Sequence, residues 1–249
     1  MTVEMTAQNR SLLPRVATAV WFAVALVVLS IGFRQAVFLV PKESTMGDLQ
    51  RIFYYHVPSA ILGMIFPYIN CVASLAFLYW RRRDPWKALG ADAWAVASAE
   101  VTLIFVTIGL ATGSLWAKPA WGVWWVWDAR TTTFLALWLL FAAYLITRKF
   151  AGATSQGHTL AAVISIFAAI DVPISFMSIR WWRTQHPAPV FDGGNLDKSF
   201  LPGILWNFAG WGLWGFLVMG LRYALERRRQ RMQEEAALEA IEASLEITQ

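Results

Sequence analysis

AWAVASAEVTLIFVTIGLATGSLW, residues 93–116, is the stretch that decides the fold. Its 24 residues hold one charged side chain, Glu100. At a rise of 1.5 Å per residue such a helix is about 36 Å long, more than the roughly 30 Å hydrocarbon core of a bilayer. Outward from it, five further stretches share this character, at about 16–40, 57–80, 131–148, 158–179 and 201–224. The reading is an all-α integral membrane protein of six transmembrane helices. The first follows Arg10 and Arg15 and, at its length, is expected to be retained rather than cleaved as a signal peptide. The fourth is the shortest, and Thr131–Thr133 extends it into the interface.

Composition agrees. The chain of 249 residues is 57% hydrophobic, with a mean hydropathy of +0.47, where a soluble domain is usually about half apolar. Its net charge of +5 would suit a nucleic-acid partner, but the placement of the charges argues against one. The amino-terminal arm, 81–87, 148–149 and 222–231 hold 13 of the 21 Lys and Arg, all on one side of the expected membrane. By the positive-inside rule that side, with both termini, is cytoplasmic. Three longer segments, around 41–56, 117–130 and 180–200, then face outward. Residues 1–224 form the membrane domain and 225–249 a charged cytoplasmic tail, read as a solvated helix with a basic start suited to anionic lipid headgroups. Cys71 is the single cysteine, so an intrachain disulfide, a CxxC motif and thioether haem attachment are all excluded.

The chemistry concentrates in one outward loop, 116–130. With the two residues that follow, it reads WAKPAWGVWWVWDARTT, with Trp116, Trp121, Trp124, Trp125 and Trp127 inside twelve residues. Scattered tryptophans anchor helices at the interface, and a rich aromatic belt is the plainer account of this run too. Its density also suits a flat aromatic ligand stacked on indole faces. Pro119 and Gly122 are expected to turn the backbone sharply there. Asp128 and Arg130 lie beside the apolar bed, and an arginine fork can hold a carboxylate of the ligand. Of three histidines, His56 in RIFYYHVPSA and His186 in WWRTQHPAPV fall on the same side as this loop. Two imidazoles flanking an aromatic platform are what haem ligation from both faces requires. His158 falls on the opposite side and reads as a bystander. Glu100 and Asp171 lie within the membrane and are functional candidates by position, although a polar partner in the bundle is the commoner explanation.

WGVWWVWDAR, residues 121–130, resembles the WWD signature of haem-handling membrane proteins of cytochrome c biogenesis. CcmC, CcmF and CcsA share it. A six-helix chain with one such loop, flanked by one histidine-bearing loop on each side, resembles the CcmC family, also called haem exporter protein C. RIFYYHVP resembles the family's segment before the second helix, and carries its histidine to His56 and its arginine to Arg51. The second family histidine falls on His186, with Trp181 and Trp182 ahead of it. The resemblance runs from Leu49 to about Gly215. It departs at Thr131, where an aliphatic residue is expected, with little consequence, and the tail after Arg231 is longer than the family needs. The resemblance implies a haem-presenting scaffold, not an enzyme, at the periplasmic face of the bacterial inner membrane. His56 and His186 would be the axial ligands of haem b, the five tryptophans and Asp128 its platform, and Arg51 and Arg130 candidates for its propionates. Partners would be the haem chaperone CcmE, the membrane proteins CcmD and CcmB, and the ATPase CcmA. No Walker motif is present in this chain.

Two other classes compete. A membrane cytochrome b or quinone oxidoreductase subunit needs histidines in mid-span, and none is there. A secondary transporter built on Glu100 and Asp171 expects related, interrupted halves, and the chain shows no internal repeat.

Overall fold

The computed structural model describes residues 2–151, 155–187 and 197–247, with side chains over 14–151, 156–187 and 197–245. The helices are α1 (Thr2–Arg34), α2 (Phe53–Trp80), α3 (Pro85–Trp121), α4 (Ala129–Phe150), α5 (Ser155–Trp181) and α6 (Leu201–Ile247). A π-turn, Gln35–Leu39, extends α1, and short 3-10 turns precede α2 and α6. All six are long and apolar enough to cross a membrane. Large apolar side chains such as Val72, Ile104 and Phe167 stay exposed around the bundle, as a lipid-facing surface requires because acyl chains are as apolar as leucine.

α2 and α3 pack against each other at the centre, with the α4–α5 pair on one flank and the α1–α6 pair on the other. Two cores result. One gathers Met64, Val106, Phe134, Leu137, Phe141 and Val172 from α2 to α5. The other gathers Leu62, Phe66, Val101, Phe105 and Met219 from α2, α3 and α6. Close approach of α6 depends on glycine. A Cβ on Gly215 would lie 2.8 Å from Phe105 and 2.9 Å from Phe66, two stacked rings that have no room to retreat. Gly215→Ala is expected to cost about 1–3 kcal/mol by overpacking, visible as a lower melting temperature of the detergent-solubilised protein. An unchanged melting temperature would show that α6 is not held at this distance.

Polar bonds fix the helices to one another. Asn207 Nδ2 donates to Gly32 O at 2.9 Å, and Asn70 Nδ2 to Ala95 O at 2.6 Å. Intramembrane carboxylates find guanidinium partners. Glu100 takes two bonds from Arg222 on α6, the longer at 2.6 Å. Asp92, which sequence reading passed over, takes two from Arg148 on α4. His158 Nδ1 stands 3.6 Å from the same Asp92 carboxylate. Asp171 is half-buried on α5, and its Oδ2 has no partner among the described residues.

Helix ends differ from expectation where local capping decides them. α3 begins at Pro85 because Asp84 caps it, accepting from Lys87 N, and it runs five residues past 116. Pro119 therefore lies inside the helix instead of turning the chain. Gly122 makes the turn alone, with φ at 81°, a conformation that a side chain disfavours. Its carbonyl accepts from Lys118 Nζ at 3.0 Å. Trp116 and Trp121 thus stand on the last turns of α3, and the irregular loop shrinks to 122–128. Over its described residues the segment expected as a tail continues α6 without a break; residues 248–249 lie outside those described.

Candidate functional site

The site is built at the end of the bundle where α2 and α4 begin and α3 and α5 finish. Asp128 closes the loop by capping α4. Its Oδ1 accepts from Thr131 N at 2.9 Å, the Asp128 N–H reaches back to Thr131 Oγ1 at 3.3 Å, and the Thr131 hydroxyl donates to Val126 O. This is a capping box with threonine at its third position. Asp128 Oδ2 looks the other way, across to the segment after α5. It accepts from the Thr184 hydroxyl and, at 3.1 Å, from Gln185 N. Burial alone would push the Asp128 carboxyl up; the bonds from Thr131, Thr184 and Gln185 outweigh it and hold the group below the usual carboxylate value.

Both histidines arrive with one ring nitrogen committed. His56 Nδ1 lies 3.0 Å from Thr112 Oγ1 on α3. The one hydroxyl proton of Thr112 goes to Ile108 O at 2.6 Å, so Nδ1–H is the donor and Thr112 accepts. Gly113 leaves room for the imidazole, since a Cβ there would stand 3.1 Å from His56 Cε1. His186 Nδ1 lies 2.9 Å from Pro187 O, and a carbonyl only accepts, so this Nδ1 is protonated as well. Each Nε2 then carries a lone pair, the tautomer a metal requires, fixed by the partner of the other nitrogen. Burial, reinforced by the Arg130 guanidinium, lowers the His186 pKa and so favours the neutral ring. The two ring centroids are 6.4 Å apart.

A cleft open to the outside lies against both rings. His56, His186, Trp116, Trp121, Trp124, Trp125, Phe134 and Arg130 line it. Trp116 and Trp121 meet edge to face at 5.2 Å, and Trp125 and Trp127 do so at 5.6 Å. Arg130 is 9% exposed. Its Nη1 donates to Ser175 O at 2.7 Å, and its guanidinium sits 5.6 Å from the Phe134 ring centre. Among the described residues it has no carboxylate at salt-bridge distance. The indole N–H of Trp125 is buried and also lacks a partner there. The cavity therefore holds two lone pairs, an aromatic wall, a buried cation and an unused donor.

Not every expected residue reaches it. Trp127 is 74% exposed and backs Trp125 without lining the cavity, and Asp128 supports the wall from behind. Arg51 stays away altogether, bonded to Ala36 O at 2.6 Å and Asp48 Oδ1 at 2.9 Å. Sequence reading missed Thr112, Thr131, Thr184 and Phe134. The D-x-x-T spacing of Asp128 and Thr131 was the one available signal, as a helix-start pattern.

Among the described residues no three His, Cys, Asp or Glu converge on one point. Fold and cavity together define a six-helix membrane protein with two imidazoles and a tryptophan wall at one end of its bundle. The chain matches the haem exporter protein C (CcmC) family over residues 4–238, and it belongs to that family. It is 38% identical to haem exporter protein C of Bradyrhizobium diazoefficiens over 189 residues, 74% of this chain and 69% of that one. It is 31% identical to the Escherichia coli K12 protein of the same name, covering 84% and 81%. A putative cytochrome c biosynthesis ccmC-like mitochondrial protein of Marchantia polymorpha is 28% identical, covering 84% and 83%.

Proposed function

We propose that this protein binds haem b between His56 and His186 and presents it for transfer to the haem chaperone CcmE. Family membership carries the coarser statement: the chain is a multi-pass inner-membrane component that handles haem for cytochrome c maturation. The observation supporting the finer reading is the pairing of the two imidazoles. Two metal–nitrogen bonds of about 2 Å, with roughly 1 Å from each nitrogen to its ring centre, put the centroids about 6 Å apart; here they are 6.4 Å apart. Porphyrin supplies the equatorial ligands that the protein does not. The indoles of Trp116, Trp121, Trp124 and Trp125 cover its apolar faces, while Arg130 and the Trp125 N–H receive a propionate. Trp127 and Asp128 complete the platform from outside the cavity, and Arg51 braces the entry to α2.

The concentration of Lys and Arg at the opposite end of the bundle supports a periplasmic position for this cavity, by the positive-inside rule. CcmD, CcmB and the ATPase CcmA are the expected neighbours, and the chain itself acts as a scaffold that binds and presents. Purified protein loaded with haem b should show the sharp Soret band of six-coordinate, low-spin iron. Substituting His56→Ala with His186→Ala should abolish that species. An unchanged spectrum in the double variant would overturn the ligand assignment.

A further inference from the structure

The two histidines are held very unequally. His56 is part of α2, one turn into a helix whose neighbouring Tyr54, Pro58 and Ser59 are buried in the bundle. His186 stands five residues beyond the last residue of α5, in irregular backbone. Its Nδ1 partner, Pro187 O, belongs to its own segment and moves with it. Among the described residues, one side chain from elsewhere hydrogen-bonds 183–187, and that is Asp128. Its Oδ2 receives the Thr184 hydroxyl and the Gln185 N–H. Thr184 then passes the constraint on, since its Oγ1 accepts from His186 N at 3.0 Å. A carboxylate accepting from O–H and N–H donors makes charge-assisted bonds, the stronger kind.

We propose that Asp128 and Thr184 form a latch that positions His186, and that His186 therefore lets go of iron before His56 does. The inference rests on the haem-ligand reading above. On release, His186 would keep the Nε2 lone pair on its ring, with no proton or electron transferred. Asp128 and Thr184 touch neither iron nor porphyrin in this account and are positioning residues. The bond that Asp128 accepts from Thr131 N shows how the latch is anchored, because the same carboxylate that holds Thr184 also caps α4.

Thr184→Val keeps the shape of the side chain and removes the hydroxyl; Thr184→Ser keeps the hydroxyl. In the full chain without haem, amide hydrogen exchange over 182–187 should quicken about tenfold in Thr184→Val and stay near wild type in Thr184→Ser. With haem b bound, Thr184→Val should convert much of the low-spin spectrum to five-coordinate, high-spin iron and speed transfer to apomyoglobin about tenfold. Adding His56→Ala should then remove the haem that remains. Unchanged exchange in Thr184→Val would overturn the latch. Faster exchange with an unaltered spin state would overturn its role in positioning the ligand. Equal loss of spin-state purity in Thr184→Ser would show that the hydroxyl is not the connection. If His186→Ala itself leaves the spectrum unaltered, the ligand reading fails, a result distinct from the others because it does not depend on exchange.

Discussion

In an Arg130→Met variant, haem binding weakens about ten- to a hundredfold while the apo-protein melts no lower than wild type. The two halves of this expectation have one cause. Arg130 is nearly fully buried, with a backbone carbonyl, a thioether and an aromatic face as its contacts. No carboxylate of the described chain pays for its desolvation by direct pairing. Removing such a charge relieves a cost, and methionine fills similar space, so stability is kept. A hydrogen bond to a charged group contributes roughly 1.5–3 kcal/mol, which is the affinity expected to be lost if Arg130 meets a propionate as proposed. Haem titration followed at the Soret band, beside a thermal melt of the apo-protein, measures both. A variant that melts lower yet binds haem normally would make Arg130 a structural residue.

The opposite end of the bundle should behave in the reverse sense. Asp92→Leu is expected to destabilise the protein by about 3–5 kcal/mol, because it leaves the Arg148 guanidinium buried with its main partner gone. Asp92 is 3% exposed, and the side chain of Arg148 is 11% exposed. Glu226, at 4.0 Å from Arg148, is too distant to replace the two bonds that Asp92 accepts. Combining Asp92→Leu with Arg148→Leu should recover most of the loss, since an apolar pair replaces the ions without leaving either unpaired. Haem affinity should stay near wild type throughout, as neither residue lines the histidine cavity. A double variant as unstable as the single one would show that the pair holds more than its two charges.

What the sequence revealed and what it withheld divide along physical lines. The six spans were legible because lipid demands long apolar runs, and the chain supplies them with little interruption. Helix ends were less so: α3 passes through Pro119 and stops at Gly122, and α4 starts two residues early because Asp128 and Thr131 cap each other. Thr131, which looked like a departure of little consequence, closes that box. Topology brought His56 and His186 to one side, but the proximity of their rings lay beyond it. Thr112 and Thr184 were invisible because each acts on a residue 56 positions away, and nothing local marks a threonine for that use. Arg51 followed the family pattern into the expected set, and its bonds to Asp48 and Ala36 take it elsewhere. Asp92 drew no reading from the sequence, because its partner Arg148 lies 56 positions away on another helix.

The unbroken course of α6 has a mechanical side. Forty-seven residues of continuous helix make a rod about 70 Å long, whose inner half is wedged between rings at Gly215 and tied to α1 at Asn207. A rod without a joint does not fold when its free end is loaded; it pivots. Whatever seats itself against the acidic far end, near Glu239 and Glu242, therefore gains leverage on the packing of α1, α2 and α3, with no chemical messenger needed in between.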